Sequence, residues 1–210
     1  MKQAFINGQL YHQEGDTLIW EDERITAIGN KEDLEDELKE CDEVIDLKGL
    51  TVMPGFIDSH MHLLELGFYL SNVQLSGCTS LEQIAKICRK ALSSIEKGQW
   101  LLGRGYNEDR FEKAVRPTKD FLDQISKDVP IALTRACGHV LSVNSKVLEL
   151  AGIHEDLEMD GGRICFETGI VEENAINLIH GLQPEPTVEQ MESWIETGMK
   201  CANRYGITTV

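Results

Sequence analysis

The chain has 210 residues, 41% of them hydrophobic and 27% charged, with a formal net charge of −16. That is the composition of a soluble globular protein with a sizeable core, and its acidity repels phosphate backbones and anionic lipid surfaces, which argues against nucleic acid and membrane as partners. No apolar stretch approaches the roughly 20 residues that span a bilayer, and the start, MKQAFINGQLYHQEGD, lacks the apolar stretch of a secretory signal.

The first fifty residues hold 14 Asp and Glu against 5 Lys and Arg and read as short strands. Ala4-Phe5-Ile6 runs into Asn7-Gly8, a strong hairpin signal. Thr17–Trp20 and Arg24–Gly29 flank an acidic turn and form a second hairpin. The charged run 31–40 suits a short solvated helix, and Glu43–Leu47 another strand. Leu50–Asp58 reads as a continuous apolar strand of the kind buried on both faces in a parallel sheet.

From Thr79 the period changes. Thr79-Ser80-Leu81-Glu82 fits a capping box, and Leu81, Ile84, Ala85, Cys88, Ala91, Leu92 and Ile95 follow helical spacing. Gly98–Tyr106 is a strand, 116–125 a helix, Val129–Ala136 a strand, and Asn144 caps a helix ending at Ala151-Gly152. A glycine loop at 160–162 precedes a segment reaching Glu173. Thr187 and Gln190 form a second capping box for a helix to about Tyr205, which Gly206 stops before a final strand. The six cysteines show no Cys-x-x-Cys spacing, so they read as reduced thiols of a cytoplasmic protein. Gly103-Arg104-Gly105 is no phosphate loop, since it opens no helix and lacks a Lys-Ser/Thr pair.

Chemistry concentrates in Pro54–Gly67, PGFIDSHMHLLELG. In a strand, residues i and i+2 share a face, so His60 and His62 project together, and two such imidazoles suit a divalent ion. Spacing alone also allows a His-x-His pair that binds nothing.

The surrounding blocks are more specific. VIDLKGLTVMPGFIDSHMH resembles the entry strand of the amidohydrolase superfamily. LLGRGYNEDRF (101–111), ACGHVLSVNSKVLELAGI (136–153) and ETGIVEENAINLI (167–179) resemble its YtcJ-like branch, amidohydrolase family 3, which includes N-substituted formamide deformylases. Asn107 stands where that block commonly has aspartate, and Tyr106 where it commonly has tryptophan. The resemblance implies an α/β fold: the N-terminal portion of a metal-dependent (β/α)8-barrel hydrolase. Its parts would be a small β-subdomain over 1–52 (half of a composite sandwich), the first barrel strand over 53–64, an α+β insertion over 65–183, and a helix and the start of the next barrel strand over 184–210.

It also implies a divalent metal, zinc first, as one ion or two. His60 and His62 would be ligands, Glu173 would stand in for the family's bridging anionic ligand, and His139 would reach substrate. Read locally, Glu173 is equally an exposed carboxylate opening a helix, and His139 a histidine bonded to nearby backbone. His12, His154 and His180 lie outside the motifs and read as surface residues.

The implied reaction is hydrolysis of a non-peptide, amide-type C–N bond in a small molecule by metal-activated water. Deamination of a ring amidine on the same fold, and a non-catalytic regulatory or partner-binding homologue, are the alternatives. A complete barrel takes about 250 residues, so the sequence is expected to be part of a longer chain and inactive alone. The general-base aspartate is expected beyond residue 210. A homo-oligomer stays open.

Overall fold

The computed structural model describes residues 1–210, which form two compact units: 1–59 with 206–210, and 60–205. No helix is long and apolar enough to cross a membrane.

In the first unit, β1 (Lys2–Ile6) is followed by the two-residue strand β2 (Gln9–Leu10), then β3 (Thr17–Glu21) and β4 (Arg24–Gly29). A 3-10 turn (Lys31–Leu34) leads into α1 (Glu35–Lys39). Next come β5 (Glu43–Asp46), β6 (Thr51–Val52) and β7 (Phe56–Ile57). β3 and β4 form the expected hairpin, with Asp22 at φ 53° in its turn. The sheet order is β4-β3-β1-β5, with Ala4 and Ile19 fully buried.

Two expectations fail here. Asn7 does turn the chain, at φ 55°, but no hairpin follows. β3 and β5 occupy both edges of β1, so β2 pairs in parallel with β6 instead. Nor is Leu50–Asp58 one buried strand. It breaks at Met53-Pro54-Gly55 into β6 and β7, where the proline has no N–H to give a ladder. Leu50 and Ile57 are 68% and 74% exposed, so the segment is not buried on both faces.

The second unit opens with α2 (Leu63–Ser71), which the sequence reading missed, and β8 (Val73–Gln74). α3 (Leu81–Leu92) starts from Ser80, whose hydroxyl accepts from the Gln83 N–H while the Gln83 side chain accepts from the Thr79 N–H. The capping arrangement is thus one residue later than expected. β9 (Leu101–Tyr106), a 3-10 turn (Glu108–Arg110), α4 (Lys119–Asp123) and β10 (Ile131–Arg135) follow.

β11 (Val140–Val143), also missed, precedes α5 (Ser145–Leu150), whose Asn144 cap accepts from the Val147 N–H. β12 (Leu157–Met159), β13 (Gly162–Cys165), β14 (Ile170–Glu173) and α6 (Ala175–His180) complete a sheet of order β12-β13-β14-β11-β10-β9-β8. α7 (Val188–Arg204) has the expected Thr187–Gln190 capping box.

Alternation along the strands builds a core on each face of this mixed sheet. Leu101, Ile131 and Leu133 pack with Ile84, Cys88 and Leu122 on one side; Ala132, Leu141 and Val143 pack with Val147, Leu148 and Ile179 on the other. α2 and α7 meet backbone to backbone: a Cβ on Gly67 would lie 1.6 Å from the Trp194 carbonyl oxygen, and one on Gly198 2.6 Å from that of Leu63. After Gly206, at φ 76°, β15 (Ile207–Thr209) returns to the first unit and pairs in parallel with β7.

Candidate functional site

His60 and His62 lie in the loop that links β7 to α2, past the strand's end instead of within it. Their closeness therefore comes from the loop and the helix start. The His62 carbonyl accepts from the Leu66 N–H at 2.9 Å, closing the first turn of α2. The two rings stand 5.4 Å apart between centres, inclined at 61°. Two imidazoles on one tetrahedral zinc, with bonds of about 2.0–2.1 Å to nitrogen, have centres on the order of 5 Å apart. The observed separation is of that order. Glu65, one turn on, places Oε1 3.9 Å from His62 Nδ1, and both side chains are solvent-exposed.

His139 and Glu173 form a second pair. The antiparallel register of β11 and β14 sets Val140 opposite Glu172 and so brings the two flanking residues together. The Glu173 N–H donates to the His139 carbonyl at 3.0 Å, and Glu173 Oε2 lies 2.9 Å from His139 Nδ1. A carboxylate only accepts, so Nδ1 carries the proton of this hydrogen bond. Glu173 holds φ at 54°, a left-handed conformation that costs a non-glycine residue about 1 kcal/mol or more. The open histidine–carboxylate pair is kept in spite of that strain.

No group of three or more His, Cys, Asp or Glu side chains comes together as a metal cage. His60 with His62, and His139 with Glu173, are therefore two separate pairs in this chain.

Beside the second pair runs a network that the sequence reading did not find. Glu108 is buried and accepts from Arg116 Nε at 2.8 Å and from Arg135 Nε at 2.8 and 3.0 Å. Arg135 also donates to Asp109 at 2.8 Å, while Glu172 accepts from Arg163 at 2.6 Å and from Arg116 at 3.4 Å. Burial works against the Glu108 carboxylate, but the hydrogen bonds from Arg116 and Arg135 outweigh it and hold its pKa below the usual range. The only hint in sequence is the cluster of charges at Glu108-Asp109-Arg110. Tyr106 points into the core, fully buried, with its hydroxyl 2.9 Å from Ser142 Oγ, and burial pushes its pKa up to about 12. Asn107 caps the 3-10 turn by accepting from the Asp109 N–H at 3.1 Å.

Residues 43–210 match the family described as the amidohydrolase family. The chain is 35% identical over 202 residues to the putative amidohydrolase YtcJ of Bacillus subtilis, covering 90% of this chain and 38% of that protein. To the N-substituted formamide deformylase of Arthrobacter pascens it is 31% identical over 165 residues, covering 75% of this chain and 30% of that enzyme. An uncharacterised metal-dependent hydrolase from Pyrococcus furiosus, known from its crystal structure, superposes on all of this chain and 44% of its own, with a TM-score of 0.73 at 30% identity. The chain spans well under half the length of these relatives. It belongs to the amidohydrolase family, with family 3 the branch that its sequence matches.

Proposed function

We propose that the protein is a metal-dependent hydrolase that cleaves a non-peptide, amide-type C–N bond in a small molecule. The reading rests above all on the 5.4 Å approach of the His60 and His62 rings, in a chain of this family. These two imidazoles would hold a divalent ion, with zinc first among the candidates. Such an ion, when bound, supplies Lewis acidity to a carbonyl and lowers the pKa of water. Glu173 is the third proposed ligand, in an arrangement that the full-length protein would have to complete, since the two pairs do not form one cage in this chain.

His139 is proposed to orient substrate. Its Nδ1 is held by the Glu173 carboxylate, which fixes the ring, and Nε2 is the atom proposed to meet substrate. Because the chain covers only 38% of YtcJ, the further ligands and the general-base aspartate are proposed to come from polypeptide beyond Val210. The 210-residue segment is proposed to lack turnover alone and to work in the cytoplasm, where its six unpaired cysteines would stay reduced.

The test is metal content after equilibration with zinc and removal of the excess. Wild type should retain zinc and His60→Ala should lose it; equal retention in both would remove these histidines from the site. A panel of N-substituted formamides and other small amides, scored by amine release from the full-length protein, then tests the reaction. Zinc binding without release of any amine would favour the non-catalytic alternative.

A further inference from the structure

On the sheet of the second unit lies a cavity of about 330 Å³, lined by none of His60, His62, His139 and Glu173. Its floor follows from the two-residue period of adjacent strands: Leu102 and Arg104 of β9 and Ala132 and Thr134 of β10 all face it. Phe68, Tyr69 and Asn72 come from α2 and its end, and His180 and Gln183 from the end of α6 and the loop after it.

Arg104 sets the character of this space. Its guanidinium lies 3.9 Å from the centre of the Tyr69 ring. Arg116, Arg135 and Arg163 in the same unit each meet a carboxylate at 2.6–2.8 Å, whereas Arg104 forms no ion pair, and no Asp or Glu lines the cavity. In a chain with 36 acidic against 20 basic residues, a partly buried arginine without a counter-ion is unusual, since removing a charge from water is costly unless it is paired. The ring face compensates in part. It uses no N–H donor, so the planar fork remains open to an acceptor.

We propose that this cavity binds a small organic carboxylate, through a salt bridge to Arg104. One guanidinium matches one anionic group and forms two parallel N–H···O bonds with it. The hydroxyl of Thr134 and the amide of Asn72 lie within the same lining as further polar partners, while Phe68, Leu102 and Leu141 take an apolar body. The volume is at the low end of the range of about 300–1,000 Å³ found for small-molecule sites. It suits a ring-sized acid and excludes a polymer. The proposal is independent of the hydrolase reading, because no metal and none of the four histidine-pair residues takes part.

The test is calorimetric titration of the full-length protein, stripped of metal, with benzoate and with acetophenone, a neutral molecule of nearly the same shape that is not a hydrolase substrate. Benzoate should bind saturably and acetophenone about tenfold or more weakly. Arg104→Met, checked for an unchanged melting temperature, should remove the preference, and Thr134→Leu, which fills the floor, should weaken both ligands. Equal affinities for the two molecules in wild type would overturn the proposal, as would the absence of saturation by about 10 mM benzoate. A preference retained in a folded Arg104→Met variant would also overturn it. Should that variant not fold, the wild-type comparison and Thr134→Leu still decide.

Discussion

Glu173 is bonded to His139 twice, by its N–H to the histidine carbonyl at 3.0 Å and by its carboxylate to Nδ1 at 2.9 Å. The side-chain bond is held while the Glu173 backbone stays left-handed at φ 54°. Two substitutions separate these effects. Glu173→Ala loses the carboxylate and keeps the strain. Glu173→Gly loses the carboxylate and relieves the strain, so it should be the more stable of the two by about 1 kcal/mol, as read by urea denaturation. Ala more stable than Gly would show that the strain is absent.

Glu108 should behave as the keystone of the arginine network. Glu108→Gln leaves Arg116 and Arg135 without their shared carboxylate and should cost about 2–3 kcal/mol. That is less than the 3–5 kcal/mol of a fully buried pair, because Arg116 keeps contact with water. Denaturant midpoints of the variant and wild type measure it.

The same carboxylate gives a pH dependence. Its folded pKa lies below the unfolded value because Arg116 and Arg135 outweigh the effect of burial. The stabilisation is therefore fully present above the unfolded value, about 4.3, and is lost as pH falls through the folded one. Between about pH 5 and pH 3, wild type should lose more stability than Glu108→Gln. Parallel curves for the two proteins would contradict this.

The cysteines should differ sharply in reactivity. Desolvation raises the Cys137 pKa, but bonding to the Arg135 guanidinium and the His139 N–H prevails and lowers it below the ordinary thiol value. Burial, aided by nearby Cys78, pushes Cys88 up to about 12. Since the thiolate is the nucleophile, iodoacetamide at neutral pH should label exposed Cys137 first and leave Cys88 unmodified in the folded protein. Peptide mapping reads the order, and Arg135→Gln should slow Cys137.

Gly67→Ala should be severely destabilising, by about 3 kcal/mol or more, because its Cβ would fall 1.6 Å from the Trp194 carbonyl oxygen. Backbone cannot move aside as a side-chain tip can. Gly77→Ala, where the added carbon meets nothing within 4 Å, is the control. A melting temperature equal for both would mean that α2 and α7 are not in contact.

What the sequence revealed, and what it hid, depended on whether the signal was local. The Thr187–Gln190 capping box, the Asn144 cap and the hairpin of β3 and β4 are fixed by residues a few positions apart, and all three form. α2 was illegible because Leu63, Leu64, Leu66, Phe68 and Leu70 leave no single apolar stripe and Gly67 interrupts the helix; tertiary contact with α7 supplies what propensity lacks. β11 was hidden as four residues between a glycine and a cap. Within the candidate site, the nearness of His60 and His62 was legible from their spacing, although by way of a loop. The junction of Glu173 with His139 depends on strand register between distant segments, and the arginine network depends on it too. The register itself leaves no mark in sequence.

The close approach of α2 and α7 also bears on biosynthesis. α2 begins at Leu63, directly after His62, and the Leu63 carbonyl rests against Gly198. A ribosome releases the His-x-His segment long before it makes the helix that braces it. For that interval the two histidines are on an unsupported stretch of chain. An ion bound as proposed would meet the pair already braced if delivered late in synthesis, and unbraced if delivered early.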